Sequence, residues 1–243
     1  MEASLKEIVH FRLGWLLQKD LEHLKVEWQR TVPSVKIETV PVQGLFWVSI
    51  QSRDRLQLKQ LEMDIRKQLR PFLFEGTEQG IEEAIQAMCI GQKKMLACAE
   101  SCTGGAITSR LLRKPGASHY FLGSIIAYSN RMKQELLKID EKILRKFGAV
   151  SFETVQAMAM HMLAKSGADI AIATSGIAGP SGGSVDKPVG TVWISIVEKN
   201  KIPHTFSLAL QGDRESIIDD AANKALFALW HCLHYEQVFL DFG

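Results

Sequence analysis

The sequence lacks any apolar run of the roughly 20 residues that a membrane-spanning helix requires. Residues 1–25 alternate charged and apolar side chains, so they do not contain the continuous apolar segment of a secretory signal peptide. We therefore expect a cytoplasmic protein with no membrane partner. Because 46% of the residues are hydrophobic, the chain has enough apolar side chains for a substantial core.

The sequence also has little net charge and few cysteines. A net charge of +2 gives no electrostatic case for a nucleic-acid partner. The four cysteines include no Cys-x-x-Cys pair and no His-Glu-x-x-His motif is present, so we expect free thiols and no metal or other cofactor. Cys102 differs from the other cysteines because it precedes a predicted helix start, where the pKa of a thiol is lowered. The phosphate loop Gly-x-x-x-x-Gly-Lys-Ser/Thr is missing, which argues against a P-loop kinase.

Apolar periodicity and punctuation divide the chain into two predicted domains, 1–76 and 77–243. The first is predicted to contain a helix, two strands and a second helix, over residues 5–30, 35–42, 44–50 and 52–69. A turn around Gln43 and Gly44 separates the two strands. This order is typical of a small α+β module, and the glycines of residues 76–80 indicate that it ends near residue 75.

The second domain alternates buried strands with amphipathic helices. The strands are predicted over residues 95–99, 121–127 and 169–174, and a hairpin over 191–197 and 204–210. The helices are predicted over residues 80–93, 106–113, 130–138, 140–147, 151–166 and 215–232. This alternation predicts an α/β fold class, with a three-layer α/β/α domain after the small N-terminal α+β module.

Ser101 presents a hydroxyl at a predicted strand-to-helix turn. Gly104 and Gly105 remove side chains that would keep a ligand from the backbone, and the first amides of the next helix have no intrahelical partner. Amides in that position bind an anion or stabilise a developing oxyanion. The same pattern also fits a helix cap at Ser101 or Thr103 with glycines that only permit close packing.

Lys133 is the candidate base, since no histidine motif accompanies the serine. If Asn130 caps the helix, Lys133 lies in its first turn, where the positive end of the helix dipole disfavours an ammonium. Burial would lower the pKa of Lys133 further, so that it takes a proton from Ser101. Tyr128, at the end of the second strand, is a candidate to relay or hold that proton. A solvated lysine and a half-buried tyrosine also fit these positions.

A glycine-rich segment over residues 174–183 follows the third buried strand, where α/β sheets place ligand-binding backbone. Its glycines allow several amides to point at one anion. Lys187 and Arg214 are cations that come after it, and the Arg214 guanidinium can hold a phosphate through two hydrogen bonds. The alternative is that Asp213 only caps the last helix and that Arg214 is solvated.

Six motifs occur together in the order found in the nicotinamide-nucleotide amidase family. They are Ala99-Glu100-Ser101-Cys102-Thr103-Gly104-Gly105, Tyr128-Ser129-Asn130 with Lys133, Gly148-Ala149-Val150-Ser151, Ser175-Gly176-Ile177-Ala178-Gly179-Pro180, Lys187-Pro188-Val189-Gly190-Thr191-Val192 and Gly212-Asp213-Arg214. Over residues 78–235 the chain resembles the C-terminal domain of the CinA proteins and the stand-alone nicotinamide mononucleotide deamidases. Two departures are Ser175, where many relatives have threonine, and Arg131-Met132 in place of Glu-Ala.

The resemblance implies hydrolysis of the carboxamide of nicotinamide mononucleotide, to nicotinate mononucleotide and ammonia, by a serine/lysine mechanism without a metal. Ser101 would be the nucleophile, Lys133 its base and Tyr128 the hydroxyl that assists proton transfer. Backbone amides of the serine turn and the glycine-rich loop would stabilise the oxyanion, and a guanidinium would bind the phosphate. The implied substrate-binding residues are Cys102, Thr103, Gly104, Gly105, Ser175, Gly176 and Arg214. The implied partners are a pyridine-nucleotide substrate and further copies of the chain in a homo-oligomer.

Residues 35–75 resemble the small KH-like connector of full-length CinA proteins, whose large N-terminal pyrophosphatase-type domain this sequence does not contain. The connector lacks a Gly-x-x-Gly loop, so RNA binding is not inferred from it. A second hypothesis is a catalytically inactive nucleotide-binding or interaction module with a competence or DNA-damage role. The motifs describe amide hydrolysis and an anion site but not the pyridine ring, so another amide substrate also fits.

Overall fold

The computed structural model describes residues 7–16, 18–42, 45–74 and 80–235, and the chain divides into two units, residues 1–77 and 78–243. The elements of the first unit are β1 Glu7–Leu13, α1 Gln18–Thr31, β2 Lys36–Val42, β3 Leu45–Ser52 and α2 Arg55–Gln68. The sheet has the order β1-β3-β2, and both pairs are antiparallel. One cluster of buried residues, with Leu13, Ile50 and Ile65 fully covered, forms the core of this α+β unit.

The helix predicted over residues 5–30 is wrong in its first half. Residues 7–13 form β1, because Val9, Phe11 and Leu13 alternate toward the core and the strand pairs along its whole length with β3. A helix cannot continue from it, since Trp15 has a positive φ of 67°. Three parts of the prediction lie outside the described residues. They are the turn at Gln43 and Gly44, the boundary near residue 75, and the start of the helix predicted over residues 5–30.

The second unit is a five-stranded mixed sheet between two layers of helices. Its elements are α3 Ile81–Gly91, β4 Leu96–Glu100, α4 Ala106–Leu111, β5 Phe121–Ile126, α5 Asn130–Leu137, α6 Glu141–Phe147, α7 Phe152–Ser166, β6 Ile170–Gly176, β7 Thr191–Glu198, β8 His204–Ala209 and α8 Arg214–Tyr235. Helices α3, α4 and α8 pack together on one side, and α5, α6 and α7 on the other. The predicted three-layer α/β/α class is confirmed. No helix within the described ranges combines the length and apolar character needed to cross a membrane.

The strand order brings three loops to one edge of the sheet. The order is β5-β4-β6-β7-β8, and β4 runs parallel to both of its neighbours. All five residues of β4 are buried, as expected for a central strand covered on both faces. Glu100 at its end pairs with Ile126 on one side and Thr174 on the other, so the three carboxyl ends are level. The segments that follow these strands therefore meet at the place where open α/β sheets bind ligands.

Gly190 closes the glycine-rich loop against the end of β8. Its N–H donates to the Ile177 carbonyl at 2.8 Å, and its carbonyl accepts from the Leu210 N–H at 2.9 Å. Gly190 has a φ of 93°, and a Cβ added there would lie 1.9 Å from the carbonyl oxygen of Leu210. The loop therefore returns to the sheet through a position that accepts only glycine.

We expect Gly190→Ala to lower the free energy of unfolding by about 3 kcal/mol or more, because the methyl group meets backbone atoms and the φ is strained. The control is Gly91→Ala at the end of α3, where an added Cβ has no neighbour within 4 Å. That variant should raise stability by up to about 1 kcal/mol, since alanine loses less backbone entropy than glycine on folding. Urea unfolding followed by circular dichroism measures both. Equal stabilities of the two variants would contradict this description of the loop.

Candidate active site

Ser101 lies directly after β4, at the strand-to-helix turn that the sequence predicts. Its side chain is buried, and its N–H donates to the carbonyl of Thr174 at 3.0 Å, which extends the β4–β6 ladder by one bond. Gly104 and Gly105 then take left-handed φ values of 59° and 102°, and α4 begins at Ala106. The two glycines thus turn the chain sharply enough to leave the serine at the strand end.

Lys133 reaches Ser101 from the first turn of α5. Its Nζ lies 2.9 Å from Ser101 Oγ, and only 1% of the residue is exposed. The helix cap is Ser129, whose hydroxyl accepts from the Met132 N–H at 3.1 Å, so the cap predicted at Asn130 is one residue late. Because the cap holds the first turn of α5 at the end of β5, the long side chain of Lys133 crosses to the end of the neighbouring β4.

The contacts of the Lys133 amine determine where the lone pair of its neutral form points. Besides Ser101 Oγ, Nζ contacts the carbonyls of Ala127 at 2.8 Å and Tyr128 at 3.3 Å. Carbonyl oxygens only accept, so both must receive N–H groups from the amine. A neutral amine has two such groups and one lone pair, and the lone pair is then left for the Ser101 O–H. Burial lowers the pKa of Lys133 to about 8, which makes this neutral form accessible near physiological pH.

The first amides of α4 are not open to a ligand, contrary to the expectation from the sequence. The buried carboxylate of Glu100 accepts hydrogen bonds from the N–H groups of Gly105 at 2.9 Å, Ile107 at 3.3 Å and Thr108 at 2.9 Å. The side chain of a strand residue thus occupies the position that a bound anion would take. Gly104 is also engaged, because its N–H donates to the Ser101 carbonyl at 3.2 Å.

The N–H groups of Cys102 and Thr103 remain at the turn. Within residues 80–235, no oxygen accepts a hydrogen bond from either of them. The hydroxyl of Thr103 is used inside the protein: it donates to Glu100 Oε2 at 2.7 Å and lies 2.7 Å from Thr174 Oγ1. Contact of these two residues with a substrate would therefore be made by their backbone rather than by the Thr103 side chain.

The cysteines offer neither a reactive thiol nor a metal site. All four are free and buried. Burial raises the pKa of the Cys102 thiol to about 12, so the lowered pKa expected from its place before a helix is wrong. Among the residues that the structure describes, no group of three or more His, Cys, Asp or Glu side chains could hold a metal ion.

Tyr128 and Arg214 meet each other rather than the Ser101–Lys133 pair. Tyr128 is 59% exposed, and Arg214 Nη2 donates to its hydroxyl at 3.0 Å. Arg214 Nη1 donates to the carbonyl of Gly179 at 2.8 Å, so this first residue of α8 joins the end of β5 to the glycine-rich loop. Lys133 contacts Tyr128 through the backbone carbonyl only. The tyrosine and the arginine therefore form an exposed pair that links two of the loops at this edge.

Ser175 and Gly176 hold the end of β6 in place. The buried Ser175 hydroxyl donates to the carbonyl of Ala149 at 2.7 Å and so fastens the segment before α7. A Cβ on Gly176 would come within 2.7 Å of the Val192 side chain and 2.8 Å of the Thr191 carbonyl, so glycine is needed for close pairing with β7. Both residues have clear structural functions here, and their contact with a substrate stays a prediction.

Two further serines, Ser181 and Ser184, lie in the connection between β6 and β7 but have no base beside them. Ser181 is the central residue of Gly179-Pro180-Ser181-Gly182-Gly183, yet it is exposed in a connection between two strands, whereas a nucleophile elbow joins a strand to a helix. Ser184 is three residues before Lys187, but the Lys187 ammonium donates to the Phe147 carbonyl at 2.8 Å. Of these serines, only Ser101 has an amine within hydrogen-bonding distance.

Comparison with known proteins places this unit in one family. The model described as the CinA C-terminal domain matches residues 78–233. A CinA-like protein of Thermotoga neapolitana is 42% identical over 169 residues, which cover 70% of this chain and 41% of that protein. A CinA-like protein of Cytophaga hutchinsonii is 34% identical over 212 residues, covering 82% of this chain and 49% of the relative. The chain thus spans less than half the length of these curated relatives.

Two solved structures of similar proteins share the fold of this unit. The crystal structure of the competence damage-inducible protein A from Klebsiella pneumoniae has a TM-score of 0.62 and 33% identity to this chain, covering 65% of this chain and 97% of that one. The structure of the competence/damage inducible protein CihA from Agrobacterium tumefaciens has a TM-score of 0.58 and 32% identity, with 63% and 95% covered. The three-layer unit is therefore a known fold within this group.

We expect the Lys133 side chain to titrate with a midpoint near 8, because the protein interior penalises its ammonium form. The amine should be charged below that pH and neutral above it. Carbon-13 NMR of the lysine side chains measures the midpoint, and the signal is assigned by its absence in Lys133→Met. A midpoint close to the ordinary lysine value of 10.5 would contradict the role of burial.

Proposed function

The chain belongs to the CinA family through its C-terminal domain, and we propose that this domain is an amidase that converts nicotinamide mononucleotide to nicotinate mononucleotide and ammonia. The observation that carries the proposal is the buried contact of 2.9 Å between Ser101 Oγ and Lys133 Nζ. A hydroxyl paired with an amine of pKa about 8 is an activated nucleophile with its own base. The pyridine-nucleotide substrate is supported by the ordered set of motifs shared with nicotinamide-nucleotide amidases.

The first half of the reaction forms an ester on the serine. Lys133 takes the Ser101 proton on its lone pair as Oγ attacks the carboxamide carbon, and the carbonyl oxygen becomes an oxyanion. The lysine, now an ammonium, gives this proton to the amide nitrogen while the carbon–nitrogen bond breaks. Ammonia leaves and an acyl ester remains on Ser101. The two carbonyls that accept from Nζ keep the amine oriented through both transfers.

The second half of the reaction repeats the same proton transfers with water. Lys133 takes a proton from the water molecule that attacks the ester carbon, and then returns it to Ser101 Oγ as the ester bond breaks. The products are the free carboxyl group and the original serine. Because the pKa of Lys133 is about 8, the amine can both accept and release a proton near neutral pH.

The backbone of the serine turn supplies the candidate oxyanion donors. The N–H groups of Cys102 and Thr103 follow the nucleophile directly and are the turn amides without an oxygen partner in residues 80–235. Donors held in place by the fold stabilise an oxyanion without reorganising in the transition state. We assign them this role in the proposed mechanism.

The exposed pair of Tyr128 and Arg214 is proposed to receive the nucleotide phosphate. A guanidinium has five N–H donors, and two of those of Arg214 already hold Tyr128 and the loop carbonyl, which leaves others for a phosphate. Assistance by the Tyr128 hydroxyl in proton transfer would require it to move from Arg214 toward the serine. A cytoplasmic location and a homo-oligomeric state belong to the same proposal and rest on the sequence and its resemblance to the family.

We expect Ser101→Ala and Lys133→Met to lower ammonia release from nicotinamide mononucleotide by at least about a thousandfold, because each removes one half of the acyl-transfer pair. Ser181→Ala is the matched control, since this serine is exposed in the nearby loop and has no amine beside it. It should retain the wild-type rate. Release is measured with purified protein, and circular dichroism checks that each variant is folded.

Three results would contradict the proposal in whole or in part. Full activity of Ser101→Ala would mean that another group attacks the amide. Absence of ammonia release by the wild type, with the nucleotide still bound in calorimetry, would favour the second hypothesis, a nucleotide-binding or interaction module. Release from a different amide but not from nicotinamide mononucleotide would keep the serine/lysine chemistry and overturn the substrate.

A further inference from the structure

We infer that Glu100 is a positioning residue for the reaction: its buried carboxylate holds the serine turn in the conformation that presents Ser101 and the N–H groups of Cys102 and Thr103. The inference rests on the proposed function of Ser101 as a nucleophile. Glu100 makes no contact with the Ser101 hydroxyl or the Lys133 amine in the described part of the chain. It acts instead on the backbone that carries the nucleophile.

Five hydrogen bonds satisfy the Glu100 carboxylate, which has no exposed surface. Oε2 accepts from the Thr103 hydroxyl at 2.7 Å and from the N–H groups of Gly105 and Ile107 at 2.9 and 3.3 Å. Oε1 accepts from the N–H of Thr108 at 2.9 Å and its hydroxyl at 2.5 Å. All five donors are neutral groups. A buried charge is tolerated when hydrogen bonds of this number replace its hydration.

The donors lie in the turn and in the first residues of α4, so the carboxylate closes a loop of chain that contains the nucleophile. Glu100 immediately precedes Ser101, and its bonds reach forward to residues 103, 105, 107 and 108. These bonds fix Gly104 and Gly105 in left-handed conformations, which direct the chain from β4 into α4. They also occupy the amides of α4, so the N–H groups of Cys102 and Thr103 are the ones left for a developing negative charge.

A second set of bonds ties the same network to the neighbouring strand. Thr103 Oγ1 lies 2.7 Å from Thr174 Oγ1, and the carbonyl of Thr174 accepts from the Ser101 N–H at 3.0 Å. Since Thr103 donates its proton to Glu100, the Thr174 hydroxyl must be the donor to Thr103. The serine backbone is thus held from β6 through Thr174 and from α4 through Glu100.

Capping of α4 alone would not require a buried carboxylate. A Ser, Thr, Asp or Asn at the cap position would satisfy the first amides of α4 from the surface. The cap position is Gly105, which has no side chain, and the capping oxygen comes from five residues earlier in a buried strand. Burial of a carboxylate beside the nucleophile is therefore better explained by control of the turn geometry than by helix stability alone.

The test measures the reactivity of Ser101 in Glu100→Gln. A glutamine side chain has the same shape but offers one acceptor oxygen and an NH2 group, which faces amide and hydroxyl donors that it cannot satisfy. The probe is a fluorophosphonate: Ser101 Oγ bonds to phosphorus, fluoride leaves, and Lys133 receives the serine proton. We expect Glu100→Gln to be labelled about a hundredfold more slowly than the wild type, the effect of misplacing a reacting group by about 1 Å.

Thr108→Val is a milder variant that keeps the test decisive if Glu100→Gln does not fold. It removes one of the five donors, the hydroxyl at 2.5 Å, and nearly preserves the side-chain shape. We expect a smaller loss of labelling rate, about fivefold. The control for a general loss of stability is Asp140→Ala, which removes the side-chain cap of α6 and leaves the serine turn intact. That variant should be labelled at the wild-type rate.

The same variants are assayed for turnover of nicotinamide mononucleotide, where kcat should fall with the labelling rate and KM should change by less than about threefold. Wild-type labelling rates in both Glu100→Gln and Thr108→Val would overturn the inference. Equal losses in Asp140→Ala would also overturn it, because the effect would then follow stability. A wild type that is labelled but releases no ammonia would overturn the amidase proposal alone, and a wild type that is not labelled at Ser101 would overturn both.

Discussion

The burial of the Lys133 amine against Ser101 is the constraint on which the site depends. An ammonium without solvent is destabilised, so the interior favours the neutral amine and brings its pKa to about 8. The carbonyls of Ala127 and Tyr128 then decide the direction of the lone pair, because they must receive the two N–H groups. Exposure of the same side chain would return the amine to its charged form and remove the base.

The three-layer fold supplies this burial through the way in which its parallel strands end. Parallel pairing of β4 with β5 and β6 ends three strands at one edge, and the lysine reaches across from the segment after β5 to the segment after β4. The carboxylate of Glu100 satisfies the amides at the start of α4 from inside the protein. The proposed nucleophile, the proposed base and the proposed oxyanion donors therefore all lie at the ends of these neighbouring strands.

Local patterns in the sequence were enough to predict much of this arrangement. The apolar run before Ser101 and the paired glycines after it predict a strand-to-helix turn. The position of Lys133 early in a helix makes it a candidate base, but a solvated lysine fits the same position. The alternation of buried strands and helices predicted the three layers. Residues 7–13 were predicted as helix because apolar spacing over a few residues fits both a strand and a helix, and only pairing with β3 decides between them.

Contacts between distant residues were not predictable in the same way. Arg214 and Tyr128 are 86 positions apart, and no local pattern shows that the guanidinium will meet that hydroxyl. The hydrogen bonds of Glu100 were also not predicted from the sequence. A charged residue at the end of an apolar run is an available signal, since it must find hydrogen-bond donors once it is buried. The thiol of Cys102 was misjudged because burial outweighs the helix start.

The most direct measurement of the central claim is the pH dependence of kcat/KM for ammonia release, between about pH 6 and 10. If neutral Lys133 is the base, kcat/KM should rise about tenfold for each pH unit in the acid range and level off above a midpoint near 8. A rate that is constant or falls across that midpoint would contradict the claim that a buried, neutral lysine activates Ser101.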